Sequence, residues 1–184
     1  MSVEVDKFVS FTDVFFYPNN WEFSRTKSFM GHWLTTSGWV TLAYIIVIFG
    51  GQRLMKSRDA FKLNTVFAYW NIGFSIFSAI ACYYLLPELV DSMQKTGFFG
   101  SYCYNNNYYQ SSVTGYWGWL FVMSKAPELG DTLFLVLRKK PVIFMHWYHH
   151  ALTFYYAQLT YSEEQAWARW SLVMNLMVHT VMYL

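Results

Sequence analysis

Charge is scarce in this 184-residue chain. Only 13% of its residues are Asp, Glu, Lys or Arg, well below the about one quarter usual in soluble domains, so an ordinary solvated surface is excluded. A formal charge of +2 leaves no basic excess, and nucleic acid is not expected as a partner. Cysteine is limited to Cys82 and Cys103, whose spacing demands no bridge; Cys82 reads as a packed thiol inside a span and Cys103 as a loop residue. The opening MSVEVDKFVSFTDVFF carries early acids and lacks a basic stretch followed by a long apolar core. It does not read as a cleaved signal peptide, and insertion is expected to be directed by the first span itself. No internal repeat is visible.

Apolar runs fill the chain instead, with 55% hydrophobic and 22% aromatic residues distributed from end to end, which leaves no room for a separate soluble catalytic domain. The expected fold is all-α, a polytopic transmembrane helical bundle forming a single domain over residues 1–184, with spans near 34–51, 66–86, 116–137, 141–161 and 165–184. The third span is long enough only if the polar SKAPELGD lies inside it. The loop with Arg53, Lys56, Arg58 and Lys62 and the turn with Arg138, Lys139 and Lys140 hold seven of the thirteen basic residues, and both are expected on the cytoplasmic side. The stretch 87–115, with its CYNNNYYQ, reads as a polar loop on the opposite side with an aromatic interface.

Buried polar residues recur in the last three spans. Lys125, Glu128 and Asp131 follow at steps of three, on one helical stripe about 120° wide. A charge near the centre of a span costs roughly 2.5 to 3.5 kcal/mol, so three together require a use. The HWYHH run puts His146, His149 and His150 on an arc of about 100°, while Asn175, His179 and Tyr183 are each one turn apart. Counting about 1.5 Å per residue from the assigned ends places His149 about 12 Å and His179 about 9 Å below the cytoplasmic surface, with Glu128 near the same level. One polar layer built from three helices is therefore expected. His32, before the first span, reads as interfacial and uninvolved.

Imidazoles beside carboxylates suit nucleophilic or proton-transfer chemistry, with the carboxylates selecting tautomers. Metal binding is the competing use. A membrane lipid oxidase with two irons uses about eight histidines, more than the five present, but one zinc on His146, His150 and a carboxylate stays open. A non-catalytic membrane protein or proton pathway built on the same charges is a third reading.

KAPELGDT (Lys125 to Thr132), HWYHH (His146 to His150) and MNLMVHTVMY (Met174 to Tyr183), with the RKKP turn between the first two, resemble in order and spacing the motifs of the very-long-chain fatty acid elongases. These are membrane 3-oxoacyl-CoA synthases of the endoplasmic reticulum. The resemblance implies condensation of acyl-CoA with malonyl-CoA to a 3-oxoacyl-CoA, with release of CoA and carbon dioxide. It implies no cofactor, because both CoA thioesters are substrates, and no resident metal. His149 is implied as the nucleophile carrying an acyl-imidazole, with His146, His150 and His179 around it; Lys125, Glu128, Asp131, Asn175 and Tyr183 would line the substrate site, and Arg138, Lys139 and Lys140 would meet the CoA phosphates. Implied partners are acyl-CoA, malonyl-CoA, membrane lipid, other enzymes of the elongation cycle and a second copy of the chain. The multi-pass protein would sit in the endoplasmic reticulum membrane with its catalytic layer toward the cytoplasm. Trp147, Tyr148 and the SKAPELGDT wording resemble members acting on saturated and monounsaturated chains. Family members have seven spans, six around an acyl tunnel, so this chain is expected to hold about five of them and to be C-terminally truncated.

Overall fold

The computed structural model describes residues 21–184, so the opening stretch weighed above lies outside the described residues. Five helices follow in order: α1 Phe23–Met55, α2 Asn64–Cys103, α3 Thr114–Leu137, α4 Phe144–Ser162 and α5 Ala168–Met182, with no strand among the described residues. Helices α1 and α2 are long and apolar enough to cross a membrane. The three later helices fall within a few residues of the segments expected from sequence.

The largest difference lies in α2, which runs on through Pro87 to Cys103 where a loop was expected. Pro87 removes one backbone donor and leaves the Tyr83 carbonyl without its helical partner, which a long helix tolerates. The helix kinks at Gly97, whose φ of 69° is a conformation that costs little without a side chain. The loop shrinks to the segment around CYNNNYYQ, and its aromatics turn inward rather than toward an interface: Tyr108 and Tyr109 are buried.

Helix α3 is central and touches the other four, while α1 packs on α4 and α2 on α5. The helix faces are distributed inside out relative to a soluble bundle. Ile46, Val47, Ile72, Ile76 and Ile80 point outward, whereas Thr26, Ser37, Ser75 and Ser78 are buried between helices. Small polar residues at helix contacts and aliphatic residues outside suit a lipid surround, where apolar burial drives little and close approach of backbones drives more.

The two basic loops meet at one end. The Phe61 amide donates to the Leu137 carbonyl at 3.0 Å, Lys139 Nζ to the Arg58 carbonyl at 3.1 Å, and Arg138 Nη2 to Asn64 Oδ1 at 3.0 Å. At the other end, Trp21 Nε1 donates to the Tyr109 carbonyl, and Lys27 and Gln110 both reach Glu164. Loops assigned to one side by charge therefore do share an end. Two apolar clusters divide the interior: Met30, Leu85, Tyr108, Trp119 and Leu176 toward the Tyr109 end, and Tyr44, Ile48, Leu129, Val136 and Phe154 toward the basic end. Cys82 packs against the first as a free thiol.

Candidate active site

Between those clusters, α3 carries its polar stripe. Pro127 lies inside this helix and frees the Met123 carbonyl from the ladder, yet the helix continues to Leu137 and keeps Lys125, Glu128 and Asp131 in phase. All three are buried. Lys125 Nζ donates to both Glu128 oxygens, at 2.8 and 2.9 Å, and to Asn175 Oδ1 of α5 at 2.8 Å. Its ammonium also lies 4.2 Å from the centre of the Phe121 ring. Ser124 adds a donor to Glu128 at 3.2 Å, and His179 Nδ1 stands 3.7 Å from the same carboxylate. Removing either partner of the Lys125–Glu128 pair would leave an uncompensated buried charge.

Asp131, one turn along, accepts from Trp70 Nε1 of α2 at 2.6 Å and from the hydroxyl of Tyr183, the residue that follows α5. Neither donor is on its own helix. Trp70 reaches it because Gly130 has no side chain: a Cβ there would stand 3.1 Å from Trp70 Cζ2. Thr132, fully buried, shares a hydrogen bond of 2.7 Å with the Tyr44 hydroxyl of α1, which also donates to the Trp147 carbonyl of α4 at 3.4 Å. Tyr44 thus ties the histidine-bearing helix to the polar stripe.

The imidazoles are placed unequally. His150 and His179 are buried, with 7% and 5% of their surface exposed, and His146 is half-buried with its Nε2 enclosed and unpartnered among the described residues. His149 is exposed. Its ring makes an edge contact with His150 at 5.9 Å between centres, and His146 and His150 lie 4.5 Å apart. A single dry chamber holding all three rings of HWYHH is not what forms. Successive residues on a helix diverge by about 100°, so His149 and His150 cannot face one neighbour together. His149 instead lies at the exposed edge of the layer.

Arg138, Lys139 and Lys140 stay at the basic end, about 15 Å along the helix axis from Glu128 at about 1.5 Å per residue. Arg138 covers the Phe67 ring at 4.5 Å, and Lys140 is exposed. His32 sits on α1 away from the layer, its Nδ1 2.8 Å from the Ser28 carbonyl. Among the described residues no group of three His, Cys, Asp or Glu side chains converges as a metal ligand set. Trp70, Ser124 and Tyr44 were missed from sequence; Trp70 and Tyr44 meet the stripe from other helices and nothing local marks them, whereas Ser124 lies one turn before Glu128 on α3 itself and its spacing could have found it.

A narrow cavity of about 80 Å³ leaves this layer at Lys125 and Asn175 and runs between α3, α4 and α5 to Tyr108, Tyr109, Tyr161 and Trp167. One water needs roughly 10 to 15 Å³, so the space has room for several waters, and it is lined mainly by apolar and aromatic groups. The polar layer is thus the mouth of an aromatic-ended slot.

The model of the ELO: GNS1/SUR4 family matches residues 29–184, a stretch that holds the whole layer. The chain belongs to this family. It is 61% identical over 163 residues to long chain fatty acid elongase 2 of Caenorhabditis elegans, covering 89% of this chain and 60% of that protein. It is also 39% identical over 183 residues to very long chain fatty acid elongase 6 of Drosophila melanogaster, covering 100% and 58%, and 38% identical over 140 residues to very long chain fatty acid elongase 6 of Homo sapiens, covering 76% and 52%. The chain therefore spans between half and three-fifths of the length of these curated relatives. For this GNS1/SUR4 member the five helices are read as part of a membrane bundle, in keeping with their inside-out faces.

Proposed function

We propose that the protein elongates fatty acids by condensing acyl-CoA with malonyl-CoA. The observation that carries this reading is the single layer in which Lys125, Glu128 and Asn175 join His150 and His179, with His149 at its exposed edge and an apolar slot leading away. The family membership and the elongase names of the relatives support the same class of reaction.

In this mechanism a neutral nitrogen of His149 attacks the thioester carbon, the carbon–sulfur bond breaks, and CoA leaves as its thiol with the imidazole proton. Malonyl-CoA then loses carbon dioxide, and the resulting carbanion attacks the acyl-imidazole carbon. The carbon–nitrogen bond breaks, and the departing imidazole nitrogen takes up one proton from solvent, which returns neutral His149. His146, His150 and His179 surround the acyl carbon. Asn175 offers its side-chain N–H, and Lys125 the positive charge of its ammonium, to negative charge developing on the enolate or carbonyl oxygen, a contribution of the kind preorganised groups make in a water-poor site. Glu128 and Asp131 hold Lys125, Trp70 and Tyr183 in place.

Arg138, Lys139 and Lys140 would meet the CoA phosphates at the basic end, the cytoplasmic side of an endoplasmic reticulum membrane, with the acyl chain extending the other way. Saturated and monounsaturated chains are the proposed substrates, with the remaining enzymes of the cycle and a second copy as partners. Incubating the full-length protein with radiolabelled malonyl-CoA and a panel of acyl-CoAs tests the reaction, and a labelled 3-oxoacyl product is expected. Stoichiometric iron or zinc in the purified protein with no such product would favour an oxidase instead. An acyl adduct still found by intact mass on His149→Ala would remove the nucleophile role.

A further inference from the structure

The CYNNNYYQ run closes the far end of the slot. Asn106 and Asn107 adopt φ of 52° and 59°, left-handed conformations that asparagine tolerates better than most residues, and the turn they make carries Tyr108 inward. The Tyr108 amide donates to Asn105 Oδ1 at 3.2 Å, and the ring meets Tyr109 edge-on at 5.2 Å. Behind it stands Arg169, its guanidinium 5.4 Å from the ring centre. That guanidinium is itself held by the Tyr104 and Asn105 carbonyls at 3.1 and 2.6 Å and by Ser92. The ring is therefore braced from the loop side.

In front of it is the slot. Gly118 of α3 lies directly against Tyr108: a Cβ on this glycine would stand 3.5 Å from the tyrosine hydroxyl oxygen and 3.6 Å from Leu172 Cδ2. The other two tyrosines at this end spend their hydroxyls on protein, Tyr109 on the Gln165 carbonyl at 3.0 Å and Tyr161 on Thr26 Oγ1 at 3.1 Å. The Tyr108 hydroxyl is buried with no partner among the described residues. Burial also pushes this phenol well above its usual range, so it stays neutral.

We propose that Tyr108, seated against Gly118, is the stop that meets the methyl end of the acyl chain, so that these two residues set the longest chain the enzyme accepts. This rests on the elongation reading above. From the level of His149 to that of Tyr161, α4 rises about 18 Å at about 1.5 Å per residue. An extended chain advances about 1.25 Å per methylene, given carbon–carbon bonds of about 1.5 Å, so roughly fourteen methylenes separate the reacting carbon from the stop.

The test is the acyl-length profile of the full-length protein in microsomes, read with labelled malonyl-CoA against saturated acyl-CoAs of increasing length. Tyr108→Ala removes the ring, and the rate on chains two carbons longer than the wild-type optimum should rise about tenfold relative to that optimum, the order set by two further buried methylenes. Gly118→Leu fills the space in front of the ring and should move the optimum two or more carbons shorter. Tyr108→Phe keeps the ring and should keep the profile. Active Tyr108→Ala and Gly118→Leu proteins with the wild-type profile would overturn the proposal. If either fails to fold, Gly118→Ala replaces it, since its Cβ fits at ordinary contact distance; a reduced rate on the longest accepted chain supports the stop, and an unchanged one overturns it. A wild-type protein that condenses no acyl-CoA of any length sinks the elongation reading itself, a result distinct from an active enzyme with an unmoved profile.

Discussion

Two cations are buried among the described residues, and they are held differently. Arg169, fully buried at the loop end, is bound by two backbone carbonyls, by Ser92, and by Glu88 at 3.2 Å. Lys125, 4% exposed, is bound only by side chains, those of Glu128 and Asn175, and it lines the slot. The planar guanidinium fork suits a fixed frame of carbonyls, whereas a compact ammonium on a flexible stem suits a site whose partners rearrange around a ligand. One cation closes a loop onto the bundle; the other faces the place where chemistry is proposed.

Substitution at each cation is the direct way to break this comparison. Arg169→Met should have the largest effect on the fold, since it orphans Glu88 and two loop carbonyls, and about 3 to 5 kcal/mol of stability should be lost. Thermal unfolding in detergent, with protease cutting near residues 104–110, reads this out. Lys125→Met combined with Glu128→Gln, which removes the carboxylate that would otherwise be left unpaired, should cut elongation by about 100- to 1000-fold, the range for a lost electrostatic donor, with a much smaller shift in melting than Arg169→Met. Equal destabilisation by the two would erase the distinction.

Trp70→Phe keeps the ring against Gly130 and removes the donor to Asp131, which sharpens the comparison by testing a supporting contact of the site. A loss of about 1 to 3 kcal/mol is expected from the under-satisfied carboxylate, seen as lower melting together with reduced activity. Tyr44→Phe is the mildest. Losing its bond to Thr132 should remove about 0.5 to 1.5 kcal/mol, and activity should fall only as far as α4 loosens against α3, measured as the ratio of melting shift to rate loss.

The differences between sequence expectation and structure fall where distant segments meet. The stripe of Lys125, Glu128 and Asp131 was legible because helical spacing alone puts residues three apart on one side. The meeting of the two basic loops was legible because charge asymmetry assigns loops to sides. By contrast, the inward turn of Tyr108 was not, because an Asn- and Tyr-rich run carries polar turn signals whichever way its rings point. Nor was the extension of α2 past Pro87, since proline raises the chance of an ending without forcing one. The three histidines of HWYHH were read as one group from their arc, but the structure buries His150 and leaves His149 at the edge.

Sequence by itself determined the helical, lipid-suited character of the chain, the one-sided acidic and basic stripe of α3, the levels of the histidines along their helices and the family motifs, since each depends on composition or on repeats of a few residues. Tertiary structure alone decided that Trp70 and Tyr183 share Asp131, that Lys125 reaches Asn175, and that Tyr108 backs onto Gly118. The first three contacts join segments 50 or more residues apart and the last folds a loop back onto the next helix, so all depend on how the helices cross and rotate about their axes, which no short-range pattern encodes.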